Sequence, residues 1–201
     1  MPREVVAAEA KGQLYGFLSS LFLLGPSDDQ VRRLTEILQI LQLPPLSICS
    51  LDDLTREYYD LFVVPNSRYV RPYESVYRDS IKIEFVGSAE LGTPPTTKRI
   101  KGLLMGESTR DVVRCYREAG VYPSTELPDH VGNELFFLGY LVSKSRATCG
   151  QEAEHLGRLY DEFRIKHPLR WFGKLRTRVN KEDGTGYYRS AVSIADALLH
   201  S

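Results

Sequence analysis

Leu127-Pro128-Asp129-His130-Val131-Gly132-Asn133-Glu134-Leu135-Phe136-Phe137-Leu138 has the grammar of a helix entrance running into a buried helix. Pro128 suits a first helical turn, and Asp129 is placed to cap exposed amides at the positive end of the helix. From there Val131, Leu135, Leu138 and Val142 fall at i, i+4, i+7 and i+11, the spacing of one helical face. Nothing in the stretch alternates with the period of a strand.

The same signals recur outward in both directions. Upstream, Ser108 with Asp111 opens a helix carrying Val112, Val113 and Tyr116 up to Gly120. Ser50 with Asp53 opens another with Leu54, Tyr58, Leu61 and Phe62 before Pro65-Asn66. Ser27 with Gln30 begins a third, with Val31, Leu34, Leu38 and Leu41 ahead of Pro44-Pro45. At the start of the chain Ala7, Ala10, Leu14, Phe17, Leu18, Leu21 and Phe22 keep helical spacing until Gly25-Pro26. Glu4, Glu9 and Lys11 precede the apolar run Leu14 to Leu24, which is too short to span a bilayer and reads as a buried helix. Downstream, Leu156, Leu159, Tyr160 and Phe163 mark one helix. Leu169, Trp171, Phe172 and Leu175 mark a short one, and Tyr188, Ala191, Val192, Ala195 and Leu199 the last.

One segment departs from this pattern. Ser80 to Phe85 alternates Ile81, Ile83 and Phe85 with Lys82 and Glu84, a brief strand, and the stretch near 86–98, with Gly92 and Pro94-Pro95, reads as a flexible loop. No fixed period repeats. The expectation is a single all-α domain over residues 1–201, with about eight helices and that one loop.

Composition narrows the function. Lys plus Arg and Asp plus Glu both total 26, so no bulk field gathers nucleic acid or anionic lipid. Cys49, Cys115 and Cys149 are isolated and odd in number, which argues for a reducing, cytoplasmic setting and against a Cys-rich zinc site. His130 and Glu134 stand four apart, but a zinc site needs further ligands. Glu152 and His155 have the spacing of helical di-iron carboxylate sites, in a single copy. Gly87-Ser88-Ala89-Glu90-Leu91-Gly92 has two glycines of a phosphate loop but continues Thr93-Pro94 instead of Lys-Ser/Thr. No G-x-S-x-G occurs and no serine or cysteine pairs locally with a histidine, although a triad dispersed in sequence stays open. The residues call for neither cofactor nor metal. The rival enzymatic reading is acid/base or metal-assisted hydrolysis by Asp129, His130 and Glu134.

A second proline-fixed stretch, Arg71-Pro72-Tyr73-Glu74-Ser75-Val76-Tyr77, offers two rigid tyrosine rings with hydrogen-bonding tips. Its plain reading is that the rings plug the core.

Taken in order, Glu57-Tyr58-Tyr59-Asp60-Leu61-Phe62 with Pro65, Pro72-Tyr73-Glu74-Ser75-Val76-Tyr77, Gly106-Glu107-Ser108-Thr109, and Pro128-Asp129-His130-Val131-Gly132-Asn133-Glu134-Leu135 resemble the signature of the TorD/DmsD family. These are cytoplasmic all-helical chaperones for maturation of molybdenum-containing oxidoreductases. The resemblance covers roughly Glu57 to Leu141. It implies a non-catalytic protein that binds the N-terminal leader, often a twin-arginine signal peptide, of an apo-form oxidoreductase catalytic subunit, as monomer or homodimer and without stable membrane insertion.

The residues it singles out for peptide binding are Tyr58, Phe62, Pro72, Tyr73, Glu74, Ser75, Tyr77, Pro128, Asp129, His130 and Glu134. The chain has Tyr73 and Tyr77 where some relatives carry tryptophans, and a longer Ile81 to Lys98 stretch, so its client differs from the best-known ones. Paired leader arginines require carboxylates near an apolar groove, and Glu57, Asp60, Glu74, Asp129 and Glu134 are expected to form an acidic rim. Arg164, Lys166, Arg170, Lys174, Arg176, Arg178 and Lys181 read as a solvated basic face.

Overall fold

A computed structural model of the chain describes residues 2–47, 49–85, 94, 96–122 and 127–201, with side chains from Glu9 onward. Among them are nine α-helices: α1 (Pro2–Leu23), α2 (Asp28–Ile40), α3 (Leu51–Tyr58), α4 (Glu74–Arg78), α5 (Glu107–Glu118), α6 (Val131–Ala147), α7 (Gln151–Lys166), α8 (Pro168–Glu182) and α9 (Tyr187–His200). The all-α expectation holds, with one helix more than the periodicity suggested. The extra one is α4, a five-residue turn of helix too short for any periodic pattern to register.

Helix α1 is the axis. Tyr15, Phe17, Leu18, Leu21 and Phe22 are all buried, because α6 packs along one side and α9 on another. The α1–α6 seam is built from small residues. A Cβ on Gly139 would lie 3.0 Å from the Gly12 carbonyl and from Tyr15 Cβ, and one on Gly132 would lie 2.5 Å from Leu23 Cγ. Glycine is what lets the two helices approach this closely. Around this pair α7 packs on α6, and α8 joins α7 to α9.

Several helix ends depart from the local reading. Helix α6 begins at Val131, and its cap is His130, whose Nδ1 accepts the Gly132 N–H at 3.0 Å. Helix α5 begins at Glu107, where Asp79 Oδ2 accepts the Ser108 N–H at 3.0 Å and its hydroxyl at 2.8 Å. Gly106 makes room for that carboxylate: a Cβ there would sit 2.0 Å from Asp79 Oδ2. At Ser27 and Ser50 the local caps form as read, the latter as a complete capping box with Asp53. Helix α3 runs on into a π turn at Tyr59–Val63. Helix α8, expected to be short, extends to Glu182 because Leu175 and Val179 continue its buried stripe through the basic run.

The strand expected at Ser80–Phe85 is present as β1 and pairs antiparallel with β2 (Thr96–Lys101), with Ile81 opposite Ile100 and Ile83 opposite Lys98. Residues 96–98 therefore belong to β2 and not to the loop. The rest of that loop, apart from Pro94, lies outside the described residues.

Candidate functional site

The two proline-fixed stretches meet. Tyr73 and His130 form an isolated antiparallel bridge, in which the Glu74 N–H donates to the Asp129 carbonyl at 3.0 Å and the Val131 N–H to the Pro72 carbonyl at 2.8 Å. The Asp129 side chain adds a third tie: its Oδ2 accepts the Ser75 N–H at 2.9 Å. Asp129 thus caps α4, which lies 54 residues away in sequence, and not the helix it precedes. Tyr116 supports the seam from below, its hydroxyl donating to the Pro128 carbonyl at 3.0 Å.

The residues singled out from the sequence divide into two groups. Phe62, Pro72, Glu74, Ser75, Pro128, Asp129 and Glu134 are buried, while Tyr58, Tyr73, Tyr77 and His130 are half-buried. Phe62 belongs to the core, its ring 4.9 Å from that of Tyr188 and 5.6 Å from that of Phe22. Tyr58 packs beside it and donates to the Phe22 carbonyl at 3.2 Å. Tyr77 stacks on Trp171 at 5.4 Å, so it faces α8, whereas Tyr73 contacts the His130 ring at 5.3 Å on the bridge. The two tyrosines therefore do not act as a pair.

The carboxylates do not form a rim. Glu57 is buried against Arg68 and accepts the Gly184 N–H at 2.7 Å. Asp60 shares Arg68 at 3.3 Å and is the most exposed of the five. Glu74, fully buried, holds Arg78 on one oxygen and His167 Nδ1 at 2.9 Å on the other. Glu134 accepts from the Trp171 indole at 3.0 Å. Burial, reinforced by the neighbouring Glu74 carboxylate, raises its pKa well above the usual carboxylate range and so favours the protonated acid. Buried Glu57 and Glu74 are paired with cationic or histidine side chains, whereas Asp129 has only the Ser75 amide on Oδ2, and Asp129 Oδ1 and Glu134 Oε1 have no hydrogen-bond partner among the described residues.

This arrangement does not assemble Asp129, His130 and Glu134 as an open acid/base site. Both acids are shut away from solvent, and burial lowers the His130 pKa to about 4, leaving a neutral ring whose Nδ1 is occupied by the Gly132 N–H. Among the described residues no group of three or more His, Cys, Asp or Glu is arranged to hold a metal. His155, half of the E-x-x-H pair, lies 3.6 Å from Glu118 on another helix.

One grouping escaped the sequence because its members are far apart in the chain. Cys115 Sγ lies 3.9 Å from His167 Nε2, and His167 is oriented by Glu74. They border a cavity of about 290 Å³ whose wall includes Arg114 and Lys166. Burial pushes the Cys115 thiol up to about 11, so it stays protonated near neutrality and is a weak nucleophile.

Exposed apolar side chains occur on the end of α1 and on the π turn. Leu23 packs where Gly132 leaves space, beside His130, and Tyr58 lies against Gly25. Leu24 is 78% exposed, Tyr59 50%, Val63 43% and Val64 48%. Fold and site together define the class: an all-α protein with exposed apolar side chains and an internally braced polar seam. Residues 28–177 match the model of the nitrate reductase delta subunit family, and the chain belongs to that family. It is a chaperone family of the NarJ/TorD type, in agreement with the resemblance read from the four sequence blocks. No curated protein matches the chain.

Proposed function

We propose that the chain is a cytoplasmic maturation chaperone that holds the N-terminal leader of an apo-form molybdenum oxidoreductase catalytic subunit until its cofactor is in place. The observation that carries this reading is the Tyr73–His130 bridge. It joins two of the blocks behind the family resemblance and leaves Tyr73 and His130 half-exposed, with Leu23 packed against Gly132 at the entrance of α6. A leader contributes an extended apolar segment, and rigid aromatic rings next to aliphatic side chains bind such a segment at low entropic cost. The bridge and its caps fix the surface in advance, which reduces the ordering cost of binding. Membrane insertion has no support in the helices, for none of those described is long and apolar enough to cross a bilayer.

The test is titration of a synthetic leader peptide of the client into the purified protein by calorimetry. Binding is expected to weaken about ten-fold or more in Tyr73→Ala, the loss typical of a buried aromatic anchor. Tyr77→Ala, which removes a ring stacked on Trp171, is expected to lower stability with a smaller effect on affinity. Equal affinity of wild type and Tyr73→Ala would exclude this surface.

A further inference from the structure

The β1–β2 hairpin does nothing for the core, and its composition is unusual for a chain with formal net charge zero. Every residue of β1 is exposed, and all of β2 except Ile100. Directly opposed residues share a face, so Ile81, Ile83, Phe85 and Ile100 stand on one side together with Thr96 and Lys98, with Ile81 54% and Phe85 51% exposed. The other side carries Lys82, Arg99 and Lys101, with Glu84 spent on Lys82 at 2.8 Å. Lys98, Arg99 and Lys101 have no ion-pair partner among the described residues, a concentration of positive charge within six residues. Arg71 anchors the base of the ribbon by donating to the Gly102 carbonyl at 3.0 Å.

A two-stranded ribbon solvated on both faces is marginally stable in water, and a third strand is the common remedy. Its outer edges carry backbone N–H and C=O groups that no strand among the described residues pairs. Two classes of partner fit a cationic ribbon with an apolar face: an anionic lipid surface and an acidic polypeptide. The open edges decide between them. Hydrocarbon cannot satisfy edge N–H and C=O groups, whereas an added strand satisfies them all along its length.

The geometry points to the hairpin as a docking edge for an extended partner segment that alternates apolar and acidic side chains, taken up as a third strand. Taken up along the outer edge of β2, that segment sets its apolar side chains beside Ile100, on the face that Ile81, Ile83 and Phe85 continue, and its acidic ones beside Arg99 and Lys101. The same lysines and arginine repel neutral and basic strands, which is how exposed edges are kept from pairing at random. The surface is separate from the Tyr73–His130 bridge, and only the source of the segment, a client chain, rests on the proposed function.

The experiment uses a blocked peptide alternating valine and glutamate, with a valine–lysine peptide as control, added to the full chain. Fluorescence anisotropy is expected to show binding of the acidic peptide that weakens with salt, and hydrogen exchange to show new protection in residues 80–85 and 96–101. The Lys98→Glu/Arg99→Glu/Lys101→Glu variant is expected to bind it about ten-fold or more weakly while keeping wild-type leader affinity. Equal binding of both peptides, unchanged affinity in the variant, or no added protection at saturation would overturn the proposal. Hairpin-dependent sedimentation with phosphatidylglycerol vesicles would overturn it in favour of a lipid surface. Loss of leader binding alone, with the acidic peptide still bound, would count against the proposed function and not against this edge.

Discussion

Glu134 shows how differently one residue reads in sequence and in space. Four positions after His130 on an apolar helix, it looks like half of a metal or general-base pair. In the fold it is a buried acid under the seam, accepting from Trp171. Its pKa is displaced upward, so the folded state favours a proton that the unfolded chain gives up above the ordinary carboxylate value. The stability this contributes is complete at low pH and declines as pH rises toward the raised value. Glu134→Gln keeps an acceptor for the indole and has no proton to hold. Urea unfolding is therefore expected to show the variant gaining on wild type between pH 5 and pH 8, by at most about 1.4 kcal/mol per pH unit. Glu134→Ala strands the Trp171 N–H and is expected to cost roughly 1–3 kcal/mol at pH 5 and below, a cost that shrinks as pH rises and the wild type loses the contribution of the held proton.

At the scale of elements, legibility in the sequence followed range. Ser27 and Ser50 cap their helices with partners three residues on, and both ends were readable. Asp79 and Asp129 cap helices they do not belong to, and no spacing rule reports that. Helix α4 and strand β2 were missed for related reasons. The first is too short for a period, and the second has Lys98 and Arg99 where an apolar alternation would have revealed it. The stripe Val131, Leu135 and Leu138 was legible, but the glycines opposite Gly12 and Tyr15 were not, since close approach is a property of two helices. Gly139→Ala drives a methyl group into the Gly12 carbonyl, and an unfolding midpoint lowered by roughly 1–3 kcal/mol is expected.

For the whole molecule, the blocks that carried the family resemblance are mostly joints. Glu57 ties α3 to the turn before α9, Ser108 ties α5 to Asp79, and Asp129 ties the α6 entrance to α4. Candidate site residues were legible as a set because joints and the surface they support share the same few segments. Which of them face outward was not legible, since burial depends on packing between distant helices. Asp129→Ala tests this coupling. Loss of the cap is expected to lower stability by about 0.5–2 kcal/mol and to speed hydrogen exchange at the Ser75 amide, read by mass spectrometry or NMR.

The bridge has one more consequence. Its halves, Pro72–Ser75 and Asp129–Val131, are separated by the hairpin and α5, so a ribosome-bound chain that has not yet released α6 has no surface to offer. On the proposed function, the receiving surface is thereby withheld until synthesis has passed the entrance of α6.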